Sequence, residues 1–257
     1  MRHVATRRRD GVLHDPLAAR FLSPPLRATA RVAARLPADP LSAYIPLRHR
    51  FIDDHLTAGI RAGARQVVLL GTGYDSRPWR LESPGVTWYE VDHPATLADR
   101  TRRLGHTGSP QRVTVPVDFR HDPLHERLAS AGHRSEEPTV WVWEGVSMYL
   151  SRDQVADCLE GLRAHSAPGS HLLLDLWHRV DGDGLRDGLR RALPSFLELI
   201  GEPVRFGVHP ADAPHWLLRR GWEVRDLAHG AALGDRYASR WPPDPSMMVL
   251  HTVPHTP

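Results

Sequence analysis

The chain has 257 residues and a formal net charge of +3, and its 41% hydrophobic and 25% charged residues suit one large α/β domain or a core with a helical appendage. Its single cysteine, Cys158, excludes an intrachain disulfide and a thiolate-rich metal site, and the absence of lysine excludes Schiff-base chemistry. No apolar run approaches the roughly 20 residues that cross a bilayer, and acids are interleaved with the arginines, so neither a membrane nor a nucleic acid is expected as a partner.

The first 64 residues are predicted to form helices and loops ahead of a core at residues 65–257. Asp15–Leu22 predicts a short helix with proline in its first turn, and Leu41–Ala62 predicts the clearest helix of this segment. The basic stretch Met1–Arg9 lacks the apolar core of a secretory signal, so a cytoplasmic location is expected.

From residue 66 onward, short apolar runs alternate with helical segments. This alternation predicts a mostly parallel sheet with helices on both faces. Ser151–His165 is predicted as a helix, because Ser151 can cap its start and Pro168-Gly169 follows its end. Five strands are predicted at Gln66–Leu70, Val86–Val91, Arg112–Val117, Thr139–Trp143 and His171–Leu176.

The last two predicted strands, Gly221–Leu227 and Ser246–Val253, are joined by a loop without a convincing crossover helix. We therefore expect them to form an antiparallel closing pair. Before them lies an insertion, residues 179–220, with leucines recurring every fourth residue. It is predicted to be an amphipathic helix packed on the sheet or a lid that receives substrate, and both roles can hold.

Glycines and acids follow four consecutive predicted strands, at the edge where parallel strands end together. Acids at the ends of apolar strands are costly to bury without partners, and one shared polar ligand would explain several of them. Glycines let the backbone approach a ligand closely, and a carboxylate can accept both ribose hydroxyls, so the sequence predicts a nucleoside-cofactor site. Its members in chain order are Gly71 and Gly73, Asp92 preceded by Glu90, Asp118 with Phe119, and Glu144.

The residues after the glycine turn favour S-adenosylmethionine over a dinucleotide. A dinucleotide site has a third glycine where this chain has Ser76, and Asp75 would repel a pyrophosphate. S-adenosylmethionine has no phosphate, and carboxylates attract its sulfonium and ammonium groups. The 17 histidines show no metal-ligating spacing, and Pro123 separates His121 from His125, so no metal is expected.

Three motifs in order, Val67–Leu81, Tyr89–Pro94 and Glu144–Leu150, resemble the leucine carboxyl methyltransferase family. They are also similar to its bacterial branch of polyketide carboxyl O-methyltransferases, of the tetracenomycin type. The resemblance runs from about Arg48 to Leu176. It implies a class I S-adenosylmethionine-dependent methyltransferase, with a Rossmann-like, seven-stranded, mostly parallel sheet and an antiparallel closing strand.

The resemblance also implies how the cofactor would be held. Arg48 would pair with the carboxylate of its methionine moiety, with Arg50 as the competing candidate. Asp92 would hold the ribose hydroxyls, with Glu90 as the alternative. The remaining roles are the methionyl part at Gly71 and Gly73, the adenine at Asp118 and Phe119, and the amino group and sulfonium at Glu144.

Four further residues have two possible roles each. Tyr149 lies near the reaction centre in the family, yet it could simply pack at the head of the next helix. His178 follows the fifth strand, where substrates bind in this fold, and it could equally be a surface histidine. Asp75 and Arg77 would brace the glycine turn as an internal ion pair rather than touch substrate.

The expected reaction is methyl transfer to a carboxylate of a small natural-product acid, which is ionised at pH 7 and needs no base. Arg179 or Arg186 could position that carboxylate, and a phenol or alcohol acceptor would make His178 the first candidate base. Nitrogen and carbon acceptors stay open, as does a cofactor-binding protein without catalysis. A nicotinamide-dependent oxidoreductase is disfavoured, and the sequence does not indicate the oligomeric state.

Overall fold

The computed structural model describes residues 1–8, 12–81, 83–104, 111–119, 121–177 and 204–256. His178, Arg179, Arg186 and the part of the predicted insertion up to residue 203 lie outside the described residues. Within the described ranges, no helix is long and apolar enough to cross a membrane.

The strands form one seven-stranded sheet in the order β3-β2-β1-β4-β5-β7-β6. Strands β1 to β5 pair in parallel, whereas β7 runs antiparallel to both β5 and β6. The predicted α/β fold and the antiparallel closing pair are therefore confirmed. The strands are β1 Gln66–Leu70, β2 Thr87–Asp92, β3 Arg112–Pro116, β4 Thr139–Trp143, β5 His171–Trp177, β6 Trp222–His229 and β7 Met247–Pro254.

Helices cover the sheet and precede it. The longest, α3, begins after Asp39, whose side chain accepts a hydrogen bond from the Ser42 amide, and has Pro40 in its first turn. The α helices are α1 Arg2–Arg8, α2 Pro24–Ala33, α3 Pro40–Arg61, α4 Arg77–Arg80, α5 Pro94–Leu104, α6 Leu124–Ser130, α7 Arg152–Ala164, α8 Ala213–Leu218 and α9 Gly230–Arg236.

Two local predictions need correction. The helix predicted at Asp15–Leu22 is a single 3₁₀ turn, Ala18–Phe21, because the Asp15 side chain caps the amides of Leu17 and Ala18. The last two strands are joined by the short helix α9 rather than by a loop alone. Its two glycines weaken the helical signal, and Gly230 is required because a Cβ there would collide with the backbone of Asp244.

The sheet is buried on both faces, as β1 illustrates. Val68 and Leu70 belong to one apolar cluster with Trp141, whereas Val67 and Leu69 belong to a second cluster that packs against α3. Alternate residues of a strand point to opposite faces, so this division is what a sheet covered by helices on both sides requires. All five side chains of β1 are buried, so packing on both faces holds the carboxyl end of the strand in place.

Candidate functional site

The glycine turn leaves β1 in a conformation that favours glycine. Gly71 and Gly73 both have positive φ, at 64° and 47°. A Cβ on Gly71 would lie 2.6 Å from Cγ2 of Val146, which follows β4. The turn therefore packs closely against the segment after β4 and leaves bare backbone facing the strand ends.

Asp92 ties the end of β2 to this turn. Its two carboxylate oxygens accept hydrogen bonds from the amides of Gly73, at 2.6 Å, and His93, at 2.7 Å. Glu90, the alternative ribose ligand, is 4% exposed and forms an ion pair with Arg100. The structure thus places Asp92 at the turn and Glu90 inside the fold.

Arg48 of α3 crosses the strand ends and joins two acids. Its Nε donates to Glu144 at 2.7 Å, and its Nη1 donates to Asp175 of β5 at 2.6 Å. Asp175 also accepts from the Gly145 amide at 2.7 Å, which fixes the turn after β4. Arg50, the competing candidate, instead forms an exposed ion pair with Asp54.

Arg77 is the centre of a second set of contacts and is completely buried. Its guanidinium donates to Asp53, Asp75 and Glu144 at 2.5 to 2.6 Å. The predicted Asp75–Arg77 ion pair is present and braces the turn. Because Arg77 and Arg48 hold opposite oxygens of Glu144, that carboxylate is fixed in position.

These contacts set the charge states. Burial raises the pKa of Glu144, but Arg77 and Arg48 outweigh it and lower the pKa to about 2. Burial and the neighbouring Arg77 lower the pKa of His49, which is therefore neutral. Since Arg77 can only donate, His49 accepts at Nδ1 and carries its proton on Nε2, which lies 3.4 Å from Glu144.

The network carries more carboxylates than guanidinium groups. Among the described residues, four acids of this network stand against three arginines, one carboxylate more than the guanidinium groups beside the glycine turn. A buried negative excess favours a cationic ligand. The acids are Asp53, Asp75, Glu144 and Asp175, and the arginines are Arg48, Arg77 and Arg80.

Three adjoining cavities follow the strand ends. The first, about 200 Å³, is called the methionyl cavity after the cofactor part predicted from the sequence at Gly71 and Gly73, and it is lined by these glycines, Arg2, Arg48 and Glu144 among others. The apolar cavity, about 330 Å³, shares Leu70 with it and includes Trp143, Val146 and Cys158. The third, about 450 Å³, is called the nucleoside cavity because it contains the predicted adenine residues Asp118 and Phe119; it shares Phe119 and Leu150 with the apolar cavity and includes His93, Tyr149 and Arg205.

The predicted adenine residues and Tyr149 meet at the nucleoside cavity. Asp118 lies 2.9 Å from Nδ1 of His121, and the Phe119 ring is 47% exposed. Tyr149 is 37% exposed and belongs to the 3₁₀ turn Ser147–Tyr149 after β4. A large apolar ring with this exposure at a cavity wall leaves a surface on which a flat ligand can pack.

Several residues that line or brace the site were not predicted from the sequence, Asp175, Asp53, His49 and Arg2 among them. Asp175 is the one with a readable signal, because an acid inside the otherwise apolar strand His171–Trp177 needs a buried partner. Asp53 and His49 share the helical segment that contains Arg48, where no local pattern separates them from surface positions. Arg2 enters the methionyl cavity from α1 and pairs with Asp15 at 3.0 Å.

The family model of leucine carboxyl methyltransferase matches residues 1–163, which is more than half of the chain. The chain belongs to the leucine carboxyl methyltransferase family. The family resemblance predicted from the motifs is thereby confirmed.

Proteins of similar sequence align with most of the length of this chain. A protein from Frankia alni, provisionally named an S-adenosyl-L-methionine-dependent methyltransferase, is 35% identical over 93% of this chain and 83% of its own. One with the same kind of name from Streptomyces coelicolor is 35% identical over 87% and 80%. At the level of the family, the protein is an S-adenosylmethionine-dependent methyltransferase, and the cofactor prediction is confirmed.

Solved structures confirm the class I methyltransferase fold. A provisionally named methyltransferase from Thermobifida fusca superposes with a TM-score of 0.63 over 100% of this chain and 95% of its own, at 16% identity. Magnesium protoporphyrin IX methyltransferase from Synechocystis, solved with bound S-adenosylhomocysteine, gives 0.54 over 92% and 96%, at 12% identity. At these identities the likeness concerns the fold alone.

Proposed function

We propose that this family member transfers the methyl group of S-adenosylmethionine to a carboxylate oxygen of a small natural-product acid. The observation that carries the proposal is the buried network around Glu144, whose negative excess stands beside a bare glycine turn. A cofactor with a sulfonium and an ammonium group suits that charge. The family name supports a carboxyl group as the acceptor.

The residues present fit the methionyl part of this cofactor. Arg48 uses Nε and Nη1 in its ion pairs, and its Nη2 donates to none of the described residues. It can therefore offer a donor to a carboxylate in the methionyl cavity, which it lines. Glu144, held ionised, would accept from the amino group, while the glycine turn leaves room for the chain between them.

The other end of the site fits a nucleoside. Each Asp92 oxygen accepts one backbone amide and keeps a further lone pair for a ribose hydroxyl. Asp118 and Phe119 line the nucleoside cavity, where the acid would accept from the adenine amino group and the ring would pack on its face. These roles place the cofactor along the carboxyl ends of β1 to β4, as ligands bind in open α/β sheets.

The chain would contribute orientation rather than proton transfer. When bound, S-adenosylmethionine supplies an electrophilic methyl group. A carboxylate acceptor is ionised at pH 7 and needs no general base, so the protein would align it and exclude water. Tyr149, in the turn that follows β4 five residues after Glu144, would orient the acceptor, and His178 would serve as base for a less acidic acceptor.

Methyl transfer from radiolabelled S-adenosylmethionine to a panel of aromatic and polyketide acids tests this function, with matched phenols and amines in parallel. The proposal predicts labelled products only with the acids. Brief alkali should release that label as volatile methanol, because methyl esters hydrolyse in base whereas methyl ethers and amines do not. Alkali-stable labelling of the phenols or amines would contradict the carboxylate proposal and leave the cofactor assignment intact.

A further inference from the structure

Arg205 is held at the nucleoside cavity by its backbone. Its amide donates to the Met148 carbonyl at 2.7 Å, and three residues later the Val208 amide donates to the Trp177 carbonyl at 2.9 Å. Both acceptors follow or end central strands of the sheet, so this segment is attached to the rigid part of the fold. The position of Arg205 does not depend on contacts of its own side chain.

The neighbours of Arg205 fix the direction of its side chain. Phe206 is 3% exposed and packs in the core, with its ring 5.2 Å from that of Trp216. Val204 packs against the second apolar cluster, on the other face of the sheet. Arg205, between them, is exposed and lines the nucleoside cavity with Tyr149.

The chemistry of this cavity suits a flat, uncharged ring system. Half of its lining residues follow β2 and β3, where the nucleoside is proposed to lie, and they include Asp118 and Phe119. Among the described residues, no carboxylate forms an ion pair with Arg205, so none of them competes with a ligand for its guanidinium. A planar guanidinium stacks well on aromatic faces, and arginine does so better than lysine.

We infer that Arg205 is a cofactor-binding residue whose guanidinium covers the adenine of S-adenosylmethionine in the nucleoside cavity. The inference rests on the proposed function, because it needs the nucleoside to occupy that cavity. The adenine would lie between the residues that follow β2 and β3 and the guanidinium carried by residues 204–208. If Arg205 anchored the acceptor carboxylate instead, replacing it would leave the affinity for the cofactor product unchanged.

Calorimetric titration of the full chain tests this role with two probes, S-adenosylhomocysteine and 5′-methylthioadenosine, which lacks the amino acid part. Arg205→Ala should weaken both by a similar factor, about 3- to 30-fold, as expected for a desolvated cation–π contact. Arg205→Lys should recover only part of the loss. The matched control is Arg219→Ala, an exposed arginine outside the three cavities, which should bind both probes as wild type does.

Each other result contradicts the inference in a recognisable way. Wild-type affinity for both probes in Arg205→Ala overturns it and leaves the proposed function standing. Weakened S-adenosylhomocysteine with unchanged methylthioadenosine moves the contact to the amino acid part and overturns the adenine assignment. An equal loss of affinity in Arg219→Ala would show that the effect is not specific to position 205, and it too contradicts the inference. A wild-type protein that binds neither probe refutes the proposed function itself.

Discussion

Arg48 and Arg50 lie two positions apart on α3, and the fold buries one and exposes the other. Two residues correspond to about 200° around a helix, so the two side chains leave on nearly opposite faces. Arg48 therefore reaches Glu144 and Asp175 at the strand ends, while Arg50 stays at the surface with Asp54. The residue that faces the site is also a structural tie between α3, β4 and β5.

Replacing these two arginines separates the two roles. Arg48→Met leaves Asp175 buried without its cation, and we expect the free energy of unfolding to fall by about 3–5 kcal/mol. Arg50→Met removes an exposed ion pair with Asp54 and a contact with the Tyr237 ring, 5.9 Å from the guanidinium carbon to the ring centroid, and should cost no more than about 1 kcal/mol. Urea denaturation measures both variants, and equal losses would contradict the account of Arg48.

The glycine turn offers a second comparison of neighbours. Gly71→Ala and Gly73→Ala share the strain of a positive φ, roughly 1–2 kcal/mol, but only the first meets the Val146 side chain. Gly71→Ala should therefore weaken S-adenosylhomocysteine at least tenfold more than Gly73→Ala does. Calorimetry on both variants measures the difference.

The compensating change tests the cause of that difference. Adding Val146→Ala to Gly71→Ala removes the Cγ2 atom that the new Cβ would contact at 2.6 Å. We expect the double variant to recover most of the affinity that Gly71→Ala loses beyond Gly73→Ala. No recovery would mean that the backbone strain, rather than the contact with Val146, controls binding.

At the scale of elements, α3 meets the closing strands through a row of histidines. His171 of β5 and His251 of β7 face each other with 2.9 Å between Nδ1 and Nε2, so one of the two nitrogens must lack a proton. The His55 ring of α3 is tilted by 31° to the His251 ring, with 4.5 Å between their centroids, and its Nε2 lies 3.0 Å from Asp226. The contact thus connects the helix that carries Arg48 to the part of the sheet formed by β5, β6 and β7.

This row makes stability depend on pH. Burial, with His55 and His171, lowers the pKa of His251 to about 3, and burial lowers that of His171 as well. Below the unfolded value of about 6.5 the unfolded chain binds protons that the folded chain does not. The contribution of neutral His251 to the free energy of unfolding is therefore fully present above about pH 6.5 and declines as the pH falls toward 3, by up to about 1.4 kcal/mol per pH unit; the lowered pKa of His171 adds a loss of the same sign.

Urea denaturation at pH 7.5, 6 and 5 measures this dependence. His251→Gln should unfold with a shallower pH dependence than wild type, because it removes one buried group that must remain neutral. Some dependence should remain, since His125 and His133 are also held at a pKa of about 4 by burial. The exposed His14→Gln is the matched control, and an unchanged slope in His251→Gln would contradict the account.

At the scale of the whole molecule, the sheet and the edge that holds the site were predictable from the sequence. The β1 and β4 ranges match their predictions residue for residue, because each is an apolar run bounded by turn residues. The acids and glycines of the site could be predicted because they directly follow such apolar runs. Strand order and parallel pairing then bring residues distant in sequence together at one edge.

The residue pairs, the helix and the cavity residue that were not predicted from the sequence depend on long-range contacts, which no local pattern encodes. Asp53 and Arg77 are 24 positions apart, and Arg48 and Asp175 are 127 apart, so only the folded chain identifies them as pairs. The helix α9 was missed because glycines needed for close packing weaken its signal. Arg205 lies inside the predicted insertion, whose course the sequence does not specify, and its place at the cavity follows from the backbone hydrogen bond to Met148.

Calorimetric titration with S-adenosylhomocysteine shows whether the strand ends bind a nucleoside cofactor through Asp92. Wild type should bind S-adenosylhomocysteine in the micromolar range and should not bind NADH. Asp92→Ala should lose at least about tenfold in affinity for S-adenosylhomocysteine, or about 1.4 kcal/mol. The exposed Asp153→Asn is the control and should bind as wild type does. Wild-type affinity in Asp92→Ala, or binding of NADH in place of S-adenosylhomocysteine, would contradict the account.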